Sequence, residues 1–187
     1  MIIQATPYGT KKEEPFAFTY SGDFTDSRVD GIGDVTLNTS GQLVTSGKTV
    51  RVRVYILGAG GGGSQDLALM SASGGSGGQQ TVEVELIPGT YDIVIGTGGA
   101  GKYARSGAGT GGTGGATTAF GYISTGGTGG TPGRQGTTLA AGAGGTPNGN
   151  AGGTGNVAGG SPNGGPSNGG SAAANSGGDG LVRITFS

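Results

Sequence analysis

The 187-residue chain carries 10 basic and 11 acidic residues, a net charge of −1, and neither cysteine nor histidine. Thiolate and imidazole nucleophiles, Ser-His-Asp triads, the usual zinc sites and disulfide staples are therefore excluded. The near-neutral balance gives no nucleic-acid footprint, and no basic amphipathic stretch points to a membrane surface.

The N-terminal run Met1-Ile2-Ile3-Gln4-Ala5-Thr6-Pro7, followed by Lys11-Lys12-Glu13-Glu14, has no basic segment leading into an apolar one. No stretch reaches the roughly 20 apolar residues of a membrane span. The expectation is synthesis in a cytoplasm, with release by lysis or an unconventional route if the protein works outside the cell.

Residues 1–48 read as an N-terminal β region for attachment or assembly. Phe16-Ala17-Phe18-Thr19-Tyr20 alternates, and Asp34-Val35-Thr36-Leu37-Asn38 and Gln42-Leu43-Val44-Thr45 flank Ser40-Gly41, which predicts a hairpin. Asp23, Asp26, Asp30 and Asp34 are spaced loosely like calcium ligands, but Arg28 and Leu37 interrupt the EF-hand spacing, so solvated turns are expected.

Residues 49–187 read as a glycine-rich domain framed by strands at 50–57, 82–86, 91–95 and 181–186. Val50, Val52 and Val54 alternate with Arg51 and Arg53, and Val82 and Val84 alternate with Glu83 and Glu85. Pairing these two strands sets arginines across from glutamates, which helps fix register. Pro88-Gly89 makes a turn into Tyr91–Ile95, a short strand is expected near 118–123, and Leu181–Phe186 closes the chain.

Of the 49 glycines, 43 lie between Gly58 and Gly180, in blocks such as Gly111-Gly112-Thr113-Gly114-Gly115. Too few apolar side chains remain there for a conventional core, so order must come through the backbone. Glycine forms polyproline II helices of three residues per turn with no internal hydrogen bonds. Lacking Cβ atoms, neighbouring passes can approach closely and satisfy one another's peptide groups. The period of three at Gly127, Gly130, Gly133 and Gly136 suits such a pass, while the five-residue recurrence of Gly159-Gly160, Gly164-Gly165 and Gly169-Gly170 suits successive turns. The predicted fold is all-β: a small antiparallel platform or sandwich carrying a polyproline II (polyglycine II) bundle, with almost no α-helix.

Two nucleotide-binding patterns arise from this composition. Gly58–Gly63 satisfies GxGxxG and Gly96–Lys102 satisfies GxxxxGK, but no helix is predicted after either, and Tyr103 stands where Ser or Thr would hold magnesium. Glu83 and Glu85 share a strand face, where alternation with valine makes them solvated strand residues. No catalytic, metal or cofactor site is expected.

Phe18-Thr19-Tyr20-Ser21-Gly22-Asp23, Arg28-Val29-Asp30-Gly31, Val52–Gly63, Pro88-Gly89-Thr90-Tyr91 and the closing Gly177-Gly178-Asp179-Gly180-Leu181-Val182-Arg183-Ile184 come in an order that resembles glycine-rich structural proteins of bacteriophages and prophages. The resemblance implies a noncatalytic virion protein of a tail fibre or tip, similar to adhesins that pack polyglycine II helices behind receptor-binding loops. Its partners would be other virion proteins or copies of itself, and a bacterial surface receptor. The alternative is a self-assembling extracellular filament or matrix protein of a prokaryote. Recognition would fall to larger or charged groups interrupting the glycine tract: Asp66, Leu67, Leu69 and Met70; Lys102, Tyr103 and Arg105; Arg134 and Gln135.

Overall fold

The computed structural model describes residues 13–66, 71–104, 109–132, 139–152 and 175–187. In chain order the strands are β1 (Ala17–Tyr20), β2 (Phe24–Asp26), β3 (Gly33–Leu37), β4 (Gly41–Ser46), β5 (Val50–Leu57), β6 (Ser64–Asp66) and β7 (Ser71–Ala72). They continue with β8 (Gln79–Leu86), β9 (Gly89–Ile93), β10 (Lys102–Ala104), β11 (Thr117–Ala119), β12 (Tyr122–Ser124) and β13 (Leu181–Phe186). The described residues contain no α-helix.

β5 organises the sandwich because alternate side chains of a strand point to opposite faces. Val52, Val54 and Ile56 are buried, whereas Arg51 and Arg53 are exposed. β5 pairs antiparallel with β8 in the expected register, Arg51↔Glu85 and Arg53↔Glu83, and on its other side with β13. The sheet order is β2-β3-β13-β5-β8, so the strands that open and close the glycine tract lie side by side.

A second sheet, β1-β4-β9, contributes to the same core. Val35, Leu37, Val54, Val182 and Ile184 of the larger sheet share that core with Leu43 and Ile93 of the smaller one, all at most 2% exposed. Each such side chain contributes about 1.5–3 kcal/mol by leaving water. Thr45 is also buried: its Oγ1 donates to the Ile87 carbonyl at 2.5 Å and accepts from the Gly89 amide at 3.1 Å. The Pro88-Gly89 turn is thereby tied to β4.

One expectation is corrected here. β3 and β4 do not form a hairpin. β3 pairs with β2 and β13, β4 pairs with β1 and β9, and the Asn38–Ser40 link crosses between the sheets. Both strands bury alternate residues, and this pattern is equally satisfied by strands in two sheets sharing one core. The expected strand near 118–123 is a hairpin, β11 with β12, turning at Phe120-Gly121 with φ of 52° and 80°.

Beyond Leu57 the chain runs as extended passes: 58–66, 71–78, 95–104, 109–116, 124–132, 139–145, 149–152 and 175–180, the sixth and seventh joined by a turn at 146–148. The first pass lies within the others. Its amides donate in a repeating order, Gly58 and Gly61 to Gly78 and Gly75, Ala59 and Gly62 to Gly115 and Gly112, Gly60 and Gly63 to Gly178 and Asn175, at 2.8–3.0 Å. A donor direction that returns every third residue is that of a three-residue turn. The carbonyls of Ala59, Gly60, Gly62 and Gly63 accept from Gly127, Gly99, Gly130 and Lys102.

The surrounding passes bond one another as well, through Gly75 to Thr128, Gly114 to Gly127, Gly112 to Ala100 and Gly177 to Gly99. The sixth pass lies against the second and fifth, with Gly142 donating to Ser73 and Thr128 to Ala143. Gly127 and Gly130 of the period-three run belong to this lattice; Gly133, Gly136 and the five-residue glycine pairs lie outside the described residues.

Candidate functional site

The passes alternate in direction. The first and second are antiparallel, with Ser64 opposite Ala72, and the first and third are parallel, with Lys102 opposite Ser64. Gly112 and Gly115 bond to Gly62 and Ala59 respectively, so the fourth pass runs down beside the first. The fifth runs up, the sixth down, the seventh up and the eighth down into β13. Consequently Asp66, Ser71, Ala104, Gly109, Pro132, Leu139, Gly152 and Asn175 stand towards one end of the bundle, opposite the sandwich.

Three of the expected contact positions, Asp66, Lys102 and Tyr103, lie towards that distal end. Lys102 and Tyr103 lie on β10, the Lys102 amide donates to the Gly63 carbonyl at 2.9 Å, and Tyr103 is 51% exposed. Asp66 ends β6, in register with Ala104. Leu67, Leu69, Met70, Arg105, Arg134 and Gln135 lie outside the described residues.

The glycine patterns resolve into lattice. Gly58–Gly63 is the innermost pass and Gly96–Gly101 belongs to the third, with backbone partners in place of a following helix. In the closing Gly-Gly-Asp-Gly, Asp179 Oδ1 accepts the Gly98 amide at 2.7 Å and the Gly180 amide donates to Gly96 at 2.8 Å. This motif joins the last pass to the third before β13 begins. The early aspartates do not form a metal cluster among the described residues. Asp26 pairs with Arg28, and Asp34 accepts from Thr185 Oγ1 at 2.7 Å.

On the sides, side chains occupy the positions that face outward. Ala100, Thr113, Thr128 and Ala143 are exposed, while Gly111, Gly114, Gly127 and Gly130 are buried. A Cβ on Gly127 would run into the Gly75 and Ser76 carbonyls, and one on Gly112 would stand 2.7 Å from the Ala100 amide nitrogen. The model of a glycine-rich domain matches residues 38–187. The chain belongs to this glycine-rich domain family. No curated protein and no solved structure matches it. The glycine-rich domain thus spans the lattice and most of the sandwich, whereas β1, β2 and β3 precede the matched region.

Sequence reading missed one exposed feature. Val29 and Ile32 bridge each other across Asp30-Gly31 and are 74% and 63% exposed. The Asp-Gly pair between two apolar residues was the available signal.

Proposed function

We propose that this glycine-rich domain protein is a noncatalytic structural component of a bacteriophage particle, at a fibre or tail tip, that touches the host cell surface through the distal end of its bundle. The observation that carries this reading is polarity: the sandwich takes the N-terminal strands at one end, and the passes bring Asp66, Lys102 and Tyr103 together towards the other. A lattice bonded through its backbone holds those positions without needing a large core. Groups fixed before contact lose less conformational entropy on binding, and aromatic and cationic side chains are common anchors. The glycine, alanine and threonine sides supply little chemistry for catalysis. The resemblance of the motif order to phage structural proteins supports the same reading.

The test compares particles made with and without the gene. The chain is expected in purified particles, and its deletion should lower host adsorption. Its absence from particles, or unchanged adsorption after deletion, overturns the proposal.

A further inference from the structure

Phe186 pairs with Gly33 at the end of the sandwich away from the glycine bundle, and the β2–β3 hairpin continues past that pair. Ser27 donates to the Asp34 carbonyl at 2.9 Å, and Val29 and Ile32 exchange backbone bonds at 2.9 and 3.0 Å. Asp30 and Gly31 turn with φ of 50° and 82°, as a two-residue hairpin turn of this type requires. Val29 and Ile32, directly paired, present their side chains on one face. They are the most exposed large hydrophobic residues among those described.

The mount of this tip is stiff. Arg28 holds Asp26 through two side-chain bonds of 2.9 and 2.6 Å, and its guanidinium carbon lies 4.7 Å and 4.8 Å from the ring centres of Phe18 and Phe186. An apolar pair held this way has little freedom to lose on docking.

Beside it, a cleft of about 520 Å³ is lined by residues including Lys48, Arg51, Arg53, Glu83 and Thr185. Thr185 faces Asp34, on the strand that continues into the hairpin. Arg51 is paired with Glu85 at 3.2 Å, while Lys48 and Arg53 have no ion pair among the described residues. Glu83, the one carboxylate side chain of the lining, lies opposite Arg53, so the cleft keeps an excess of positive charge that favours a partner bringing carboxylates.

We infer that this base surface, hairpin tip plus cationic cleft, docks a different structural protein offering an apolar recess flanked by carboxylates. The inference rests on the particle reading above and assigns the attachment end. A second copy of this chain is a poor occupant, because the cleft it would offer the Val29–Ile32 tip is lined by charge. The hairpin also precedes residues 38–187, the region that matches the family.

The chain has no cysteine, so Ser27→Cys carries a single photoactivatable crosslinker beside the tip. Irradiated particles should yield one adduct with a different particle protein. The Val29→Asp/Ile32→Asp variant should keep its melting temperature within about 2 °C yet fall at least about tenfold in particle incorporation, as loss of an interface anchor requires. A self-adduct, no adduct, or normal incorporation of the folded variant overturns the inference. If the variant does not fold, the crosslink alone decides. If the unaltered chain is missing from particles, the parent reading fails and this assignment falls with it.

Discussion

Gly62 donates its backbone N–H to the carbonyl of Gly112, 50 residues later, at 2.8 Å. The Gly62 carbonyl accepts from Gly130, so three distant passes meet at one residue without a side chain. A Cβ on Gly62 would overlap the Ala100 carbonyl. Absence of side chains is therefore a packing requirement in this protein.

Gly127→Val should destabilise far more than Thr113→Val. Gly127 donates to Ala59 at 2.9 Å and is buried between passes, whereas Thr113 is exposed. Stranding buried amides or carbonyls costs about 1–3 kcal/mol each. A loss of about 3 kcal/mol lowers the melting temperature by about 6–12 °C in a chain of this size. Gly112→Val should act in the same direction. Equal shifts for the glycine and threonine substitutions in calorimetry would contradict close lattice packing.

Ile184→Ala, at 1% exposed, should cost about 2–5 kcal/mol by opening a cavity between the sheets. The Arg51–Glu85 pair is open to solvent, with side chains 68% and 61% exposed. A double-mutant cycle on it should give less than about 1 kcal/mol, fading with added salt. A coupling as large as the Ile184 effect would show that the pair orders the sheet.

The side-chain and backbone bonds from Arg28 hold the Asp26 carboxyl down from 3.8 to about 2. A carboxylate whose folded pKa is depressed contributes stability that is complete above its unfolded pKa and is lost as pH falls through the folded one. The melting-temperature deficit of Asp26→Asn should thus be constant above about pH 5 and shrink towards pH 2, by the same linkage. A deficit that is independent of pH over this window would mean that the Asp26 charge does not hold the hairpin.

Tyr103→Ala combined with Arg105→Ala should weaken host adsorption or assembly while leaving melting unchanged. Tyr103 is half exposed on β10, so its ring contributes little to the described core. If replacement of Asp66, Leu67, Leu69, Met70, Lys102, Tyr103, Arg105, Arg134 and Gln135 leaves both assembly and adsorption intact, the distal contact assignment fails.

Much of this architecture is legible in the chain because two signals are unambiguous. Alternating valine with arginine or glutamate marks β5 and β8 and their register, and glycine blocks bounded by β5 and β13 indicate a bundle raised on a platform. The β3–β4 crossover was not legible: Ser40-Gly41 is a sound turn signal, but alternation in Val35, Leu37, Leu43 and Thr45 does not state which sheet a strand joins. Neighbour order in the lattice was equally hidden, since one glycine pass has no side-chain code to distinguish it from another. The convergence of Asp66 with Lys102 and Tyr103 follows from alternating pass direction, a property of the assembled bundle.

The most direct measurement places both ends of the molecule on the particle. Single cysteines at Thr90, exposed on β9 of the sandwich, and Thr131, near the distal end, can each carry a gold label because the chain has no other thiol. Electron cryomicroscopy of labelled particles should show the Thr90 label towards the particle body and the Thr131 label farther out, at a fibre or tail tip. Labels in the reverse order, or a labelled protein found only as free filaments, would contradict the account.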